Sequence, residues 1–144
     1  MADTQNWVVW ALLSAIFAAL TAIFAKVGLE RVDSDYATLI RTALILVVVA
    51  GMVSVMGKWQ DPRTLPSRSL VFLALSALAT GASWLCYFRA LQLGEASRVA
   101  PIDKLSVVLV AVFAVIFLGD RPSPRDWLGI TLVAIGVLTL ALKR

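Results

Sequence analysis

The chain contains uncharged runs that are long enough to cross a lipid bilayer. The first extends from Trp7 to Ala25, nineteen residues without a charged side chain. A membrane-spanning helix needs about 20 apolar residues. Of the 144 residues, 60% are hydrophobic and 15% are charged, against roughly 25% charged in an ordinary globular domain. The pattern excludes a water-soluble globule and predicts an integral membrane protein.

Four further apolar segments follow the first, separated by short polar connections. We predict an all-α integral membrane protein with five transmembrane helices in a single domain, residues 1–144. At 1.5 Å per residue, each helix is about 24–34 Å long, enough to span the hydrocarbon core. Asp33 or Ser34 is expected to cap the second helix, and Ser123–Asp126 to start the fifth. The helices are expected at residues 7–27, 36–56, 69–89, 97–118 and 125–142.

Two residue types that carry much protein chemistry are absent or nearly absent. The chain has no histidine and a single cysteine, Cys86. These counts exclude histidine-based catalysis, histidine ligands for a metal and an internal disulfide. The sequence shows no nucleophile with a base beside it and no pattern of metal ligands. We therefore expect a protein that is not an enzyme and that uses no cofactor and no metal ion.

The net charge of +4 has an explanation in a membrane protein. In a soluble chain, such a charge would favour nucleic-acid binding. In a membrane protein, lysines and arginines gather in the loops. We therefore expect no nucleic-acid partner, and a protein that crosses a membrane several times.

Three charged residues fall well inside the predicted spans. Arg41 lies about five residues into the second helix, and Asp103 and Lys104 lie in the fourth. A charge inside a span costs roughly 2.5–3.5 kcal/mol, so each of these residues is a functional candidate. If the fourth helix starts at Pro101, Asp103 and Lys104 lie at the interface. If it starts at Ala96, they lie about 10–12 Å deeper, and Pro101 interrupts the helix beside them.

The embedded charges and those at adjoining helix ends fall on one side of the membrane when the spans are followed in alternation. We interpret this group as a cationic mouth in which Arg41 and Lys104 are the deepest cations. Its members are Lys26, Arg41, Arg89, Glu95, Arg98, Asp103 and Lys104.

Several short motifs stand out in the second half of the chain: Tyr87–Leu91, Ala96–Pro101, Leu118–Asp120, Trp127–Gly129 and Gly136–Val137. Together they resemble the EamA family of the drug/metabolite transporter superfamily. Arg41 also matches an arginine often found near the start of that family's second span. The resemblance covers essentially the whole chain and is most specific in its second half.

The resemblance implies one EamA-type repeat, which is half of a ten-helix transporter fold. It also implies transport of amino acids, other metabolites or drugs, and it favours a fourth helix that starts near Ala96. The chain departs from the family pattern at three places: Asp120 replaces a glutamate, Val107 replaces a proline, and Asp103–Lys104 replaces apolar or small residues. A single five-helix unit would most simply find its second repeat in another copy of itself, so we expect a homodimer.

The predicted site has structural alternatives at every position. Arg41 and Lys104 can instead extend to the interface, and Arg41 can hydrogen-bond carbonyls at helix ends. Asp103 can be an acid favoured by a helix N-terminus, or the ion-pair partner of Arg41 or Lys26. The aromatic residues can be core packing, and the small residues of the first helix can be close-packing positions. The predicted substrate-binding residues are Arg41, Lys104, Asp103, Trp84, Tyr87, Ser14 and Thr21.

The acidic residues inside the predicted spans indicate which charge the substrate carries. The small multidrug-resistance proteins, a related four-helix family, use a glutamate in their first helix to exchange protons for cationic drugs. The first helix here has no acid between Trp7 and Ala25. Asp103 is the one acid expected to be embedded, and an acid beside a cation such as Lys104 is a poor proton carrier. We expect an anionic or zwitterionic substrate whose negative group meets Arg41 or Lys104.

The charges of the loops indicate almost no preferred orientation of the protein in the membrane. One side has five Lys or Arg residues and the other has six, so the positive-inside rule hardly distinguishes them. Two oppositely oriented copies would recreate the inverted repeats of a two-unit transporter; the alternative is one orientation set by a few dominant charges. The two sets are Lys58, Arg63, Arg68, Arg121 and Arg125, and Lys26, Arg31, Arg89, Arg98, Lys143 and Arg144.

The sequence therefore predicts a small-molecule transporter that works by alternating access as a homodimer, with the two copies antiparallel. One alternative is a flippase of a charged lipid head group, whose phosphate would suit the cationic mouth. Another is a non-transporting membrane subunit of a heteromeric complex.

Overall fold

The computed structural model describes residues 6–142, and its regular elements are helices. Lys143 and Arg144, counted above among the loop cations, lie outside the described residues. In the first part of the chain, α1 covers Asn6–Gly28, α2 covers Ser34–Val55, and a 3₁₀ turn at Pro62–Thr64 precedes α3, Ser67–Leu93. The remainder comprises α4 (Ala96–Asp103), α5 (Ser106–Phe113), a π-helical turn (Ala114–Leu118) and α6 (Pro124–Leu142).

Among residues 6–142, five segments are long and apolar enough to cross a membrane, which confirms the predicted fold class. The third extends to Leu93, four residues beyond its expected end. Within residues 6–142, at most 6% of the most apolar stretch of any span is buried. Such exposed apolar faces suit helices that are surrounded by lipid. The segments are Trp7–Gly28, Ser34–Val55, Ser67–Leu93, Ala96–Leu118 and Pro124–Leu142.

Two helix starts are fixed by the side chains that the sequence indicated. Asp33 Oδ1 accepts the N–H groups of Asp35 at 2.9 Å and Tyr36 at 3.2 Å, so Asp33 caps α2. At α6, Ser123 donates to Asp126 Oδ2 from its N–H and its hydroxyl, both at 2.8 Å, and the Asp126 N–H donates back to Ser123 Oγ at 3.3 Å. These reciprocal bonds satisfy groups that a helix start otherwise leaves free.

The fourth span is broken, and the break lies beyond Pro101. The span starts at Ala96, as the longer alternative predicted, and Pro101 lies within α4. Pro101 supplies no N–H to the preceding turn. The backbone then tightens, because the N–H of Lys104 bonds to the Pro101 carbonyl at 2.9 Å and that of Leu105 to the Ile102 carbonyl at 3.0 Å. These bonds span three residues, as in a 3₁₀ turn, and they separate α4 from α5.

The same span ends in a π-helical turn followed by a glycine. Gly119 has φ +72°, in the left-handed region, where a residue without Cβ carries no steric penalty. The turn is closed by a bond from the Asp120 N–H to the Ala114 carbonyl at 3.1 Å. The Leu-Gly-Asp motif noted in the sequence therefore marks the end of a membrane-spanning helix.

The chain divides into two compact units by its contacts. One unit is Ile23–Leu93, where α2 packs against α3 and the exposures of Phe88 and Leu91 are 1% and 0%. The other comprises the described parts of residues 1–22 and 94–144. There, α4 and α5 pack against α6, and Val137 is buried.

Hydroxyl groups inside the spans bond to their own helices. Each donates to the carbonyl four residues earlier at 2.8–2.9 Å, so the hydroxyl is satisfied without water or a second helix. The donors are Thr38, Thr42, Ser54, Thr80, Thr131 and Thr139.

Candidate functional site

Arg41 lies against two aromatic rings of α3. It is about 10 Å along α2 from Ser34, at 1.5 Å per residue. Its guanidinium carbon lies 4.2 Å from the centroid of the Phe88 ring and 5.5 Å from that of Trp84. Trp84 and Phe88 are four residues apart, so they share one face of α3. A guanidinium over an aromatic face gains about 2 kcal/mol or more when water is excluded.

The rings do not satisfy the guanidinium completely. Arg41 Nη1 is buried and has no hydrogen-bond partner among residues 6–142. A buried donor that belongs to a charged group costs free energy unless an acceptor reaches it. The fork of an arginine fits a carboxylate or a phosphate with two parallel hydrogen bonds. The arrangement is therefore suited to an anionic group.

The aromatic residues beside Arg41 differ in role. Tyr87, a predicted site residue, packs edge-on against Phe88, with ring centroids 5.8 Å apart and planes at 79°. Phe88 was not among the predicted site residues, yet its ring lies nearer to the guanidinium than that of Trp84. The four-residue spacing from Trp84 was the signal in the sequence that could have identified it.

Side-chain hydrogen bonds join the helix ends near this site, and a further bond within α3 orients one of the donors. Lys26 Nζ donates to the Leu91 carbonyl at 2.7 Å. Gln92 Nε2 donates to the Val32 carbonyl at 3.2 Å, and Arg89 Nη1 donates to Gln92 Oε1 at 2.8 Å. The end of α1, the α1–α2 connection and the end of α3 therefore meet. Sequence analysis did not identify Gln92, because its acceptor is a backbone carbonyl, which every residue type supplies.

A depression opens between the start of α2 and the end of α3, with a volume of about 500 Å³. It brings together two acids and one arginine, and Ser34 within it is buried. Sequence reasoning did not place these residues together. The lining residues are Asp33, Ser34, Asp35, Leu85, Cys86 and Arg89.

Asp103 and Lys104 form an ion pair in the other unit. Lys104 Nζ lies 3.3 Å from Asp103 Oδ2, and the side chains of Lys104 and Asp103 are 54% and 36% exposed. The pair lies where α4 gives way to the 3₁₀ turn. The ion-pair alternative for Asp103 named Arg41 or Lys26, whereas the partner here is Lys104. The exposed pair leaves both groups accessible to a ligand.

The seven predicted site residues fall into two sets. Arg41, Trp84 and Tyr87 belong to the unit Ile23–Leu93, where Arg41 and Trp84 are in contact. The other four belong to the second unit, where Asp103 and Lys104 are in contact with each other. Ser14 is exposed and Thr21 is half-buried, both on α1. The remaining set is Ser14, Thr21, Asp103 and Lys104.

Comparison with known proteins agrees with the motifs. Residues 5–142 match the EamA-like transporter family. An uncharacterized transporter in the cobO 3′ region of Sinorhizobium sp is 60% identical over 138 residues, which cover 96% of this chain and 98% of the relative. No solved structure gives a significant match.

A more distant similarity concerns a flippase subunit. The probable 4-amino-4-deoxy-L-arabinose-phosphoundecaprenol flippase subunit ArnE of Yersinia pestis (strain Pestoides F) is 29% identical over 84 residues, which cover 58% of this chain and 74% of ArnE. The family and the names of these relatives indicate transport rather than enzymatic catalysis. Five apolar spans and a match over nearly the whole chain lead to one conclusion: this multi-pass membrane protein belongs to the EamA-like transporter family.

Proposed function

We propose that the protein carries a small anionic or zwitterionic metabolite across the inner membrane by alternating access, as a homodimer of oppositely oriented copies. The observation that carries the proposal is Arg41, whose Nη1 is buried without a hydrogen-bond partner among residues 6–142. A cation in this state is stabilised by an anion that arrives and leaves. In the other unit, Lys104 at the break in the fourth span remains a further candidate for substrate binding, with Asp103, Ser14 and Thr21.

The geometry around Arg41 supports a substrate with a carboxylate or phosphate. Trp84 and Phe88 hold the guanidinium by its faces, and contacts of this kind leave the edge N–H groups for a ligand. A bound anion would also compensate for the cost of placing Arg41 inside a span. A charge inside a span costs roughly 2.5–3.5 kcal/mol, and a bound anion offsets part of that cost.

The dimer follows from the number of spans and from the loop charges. Transporters commonly bind substrate near the midplane between two related repeats, and in many of them the repeats are inverted. This chain has five spans among its described residues, and its loops carry five and six cations on the two sides. A second copy in the opposite orientation would supply the inverted repeat.

Flux through liposomes that contain only this protein tests the proposal. The solutes are radiolabelled carboxylates, zwitterionic amino acids and cationic amines, offered separately. We expect uptake of a solute from one of the first two groups, and Arg41→Gln to lower it by about tenfold or more, the value of a lost charge-assisted hydrogen bond. Arg68→Gln is the matched control, because Arg68 also lies over a ring, that of Phe72 at 5.9 Å, but near the opposite end of α3.

Two results would contradict the proposal. One is full uptake by a protein in which Arg41→Gln and Lys104→Gln are combined. The other concerns orientation, measured by labelling a Leu142→Cys variant in a Cys86→Ala background, since Leu142 is 81% exposed. Labelling from both faces of the membrane in comparable amounts supports the antiparallel pair, and labelling from one face alone eliminates it.

A flippase, or a subunit of one, is the second candidate, and the similarity to ArnE favours it. The substrate would then be a lipid whose phosphate binds at the cationic mouth. Liposomes that contain a polyprenyl-phosphate sugar distinguish the two functions. Protein-dependent transfer of that lipid between leaflets supports the flippase, while transfer only after addition of a second protein supports a subunit role.

A further inference from the structure

The depression between α2 and α3 holds opposite charges that do not pair with each other. Asp33 and Asp35 reach it from the start of α2, and Arg89 reaches it from α3. The ion pairs among residues 6–142 are Arg98–Glu95 and Lys104–Asp103, so neither acid of the depression is in one. Two carboxylates and a guanidinium thus face one space of about 500 Å³.

Each of these groups is held in place by a bond that leaves capacity for a ligand. Asp33 accepts two backbone N–H groups through Oδ1, and Asp35 Oδ1 accepts the Ser34 hydroxyl at 3.4 Å. Arg89 uses Nη1 for Gln92 at 2.8 Å. A carboxylate has two acceptor oxygens and a guanidinium five N–H donors, so a second oxygen on each acid and most donors of Arg89 remain for other contacts.

We propose that this depression is a two-point site for a zwitterion, whose ammonium group binds Asp33 and Asp35 and whose phosphate or carboxylate binds Arg89. The proposal rests on the proposed function, since it makes the depression the place where substrate first binds. Phe88 precedes Arg89 in the chain and its ring contacts Arg41, and Ser34 in the depression lies about 10 Å along α2 from Arg41.

The mixed charge explains why neither a simple anion nor a simple cation fits as well. An anion without an ammonium meets two carboxylates, and an amine without an anionic group meets a guanidinium. Repulsion of the wrong ligand contributes to specificity as much as attraction of the right one. A free solute and the head group of a lipid both fit this description, because both present the same ammonium and phosphate.

Cys86 makes the site measurable without an added label. It is the single cysteine of the chain, it is exposed, and it lines the depression. The full chain, reconstituted in phosphatidylglycerol vesicles, is treated with a water-soluble maleimide, and modification is followed by mass spectrometry. We expect phosphoethanolamine at ten times its dissociation constant to slow modification about tenfold, and ethanolamine or inorganic phosphate to slow it far less.

Charge-neutralising variants separate this site from a general effect. Asp35→Asn and Arg89→Gln should each raise the phosphoethanolamine concentration needed for protection by about ten- to a hundredfold. Arg89→Lys keeps the charge and should recover part of the protection, which distinguishes a ligand contact from a purely structural role. Asp120→Asn and Arg121→Gln are matched controls, because both residues lie outside the lining of the depression. In these variants, phosphoethanolamine should protect Cys86 as it does in the unmodified protein.

The outcomes separate this proposal from transport itself. Equal protection by inorganic phosphate and by phosphoethanolamine overturns the two-point site, as does flux without any protection of Cys86. Protection without flux supports the site and contradicts the transporter. Protection by soluble phosphoethanolamine identifies a free solute, and protection by phosphatidylethanolamine added to the vesicles identifies a lipid head group; either result supports the zwitterion chemistry.

Discussion

Lys26 Nζ donates a hydrogen bond of 2.7 Å to the backbone carbonyl of Leu91, 65 positions later in the chain. The bond joins the last turn of α1 to the last turn of α3. The exposed fraction of Leu91 is 0% and Lys26 is half-buried, so this charge-assisted bond is partly shielded from water. The sequence assigned Lys26 to the cationic mouth, and the structure adds a defined hydrogen-bond acceptor for its ammonium group.

Lys26→Met should therefore destabilise the protein. The loss of a hydrogen bond from a charged group costs about 1.5–3 kcal/mol, and for a chain of this size that is a fall of several degrees in Tm. Thermal unfolding in detergent, followed by far-ultraviolet circular dichroism, measures the change. Lys58→Met is the matched control, because Lys58 is exposed in the connection after α2. Equal Tm values for the two variants would show that the Lys26 bond does not stabilise the fold.

Phe88→Leu should weaken substrate binding more than it weakens the fold. The change keeps an apolar side chain of similar size, which usually costs under about 1.5 kcal/mol, but it removes the ring that lies 4.2 Å from Arg41. We expect the KM for uptake to rise about tenfold, since a desolvated cation–π contact is worth about that much or more. Phe72→Leu, which removes the ring beside Arg68, should leave KM unchanged. A KM that is equal in both variants contradicts a role of Phe88 in orienting Arg41.

Pro101→Ala should make the fourth span more regular and the transporter slower. The new N–H can bond to the Ser97 carbonyl, four residues earlier, so the thermal midpoint should stay the same or rise. Turnover should fall, because conformational steps often depend on a few backbone positions that bend. Uptake at saturating solute, compared with Tm, checks both halves of the expectation. An uptake rate equal to that of the unmodified protein would show that the break is not used in transport.

Gly119→Ala and Gly129→Ala should have opposite effects on stability. Gly119 has φ +72°, where an alanine costs roughly 1–2 kcal/mol. Gly129 lies in α6, and a Cβ added there meets no heavy atom within 4 Å. Alanine in a helix interior is favoured over glycine by about 0.5–1 kcal/mol. If Gly129→Ala lowers Tm instead, a second copy of the protein must pack against this glycine.

The spans were predictable from sequence because hydropathy and length decide them. The caps at Asp33 and Ser123–Asp126 were predictable too, because a short side chain with an oxygen, placed just before an apolar run, favours the N-cap of a helix. Pro101 predicted an interruption of the fourth helix, but the position of the break after Asp103 and the π turn at Ala114–Leu118 were not predictable. In both places, the backbone hydrogen bonds shift by one residue along the chain. Such a shift requires no particular side chain, so the sequence does not reveal it.

The site was only partly predictable. Arg41 was identified because a charge inside a span is costly, and Trp84 because a large ring lay at a compatible position. The role of Phe88 depends on how α2 and α3 pack, which hydropathy does not encode. The depression that joins Asp33 and Asp35 to Arg89 also arises from that packing. Asp33, Asp35 and Arg89, each considered by itself, are ordinary charged residues at helix ends.

The self-bonded hydroxyls described above have a consequence for biosynthesis. A span whose polar groups are satisfied within one helix can leave the translocon as soon as it is made, without waiting for a neighbour. Arg41 is different, because its aromatic partner Phe88 is made 47 residues later. At about 5–20 residues per second, that interval is several seconds. During it, the second helix must remain beside the translocon or at the membrane surface, so the first three helices are expected to enter the bilayer together.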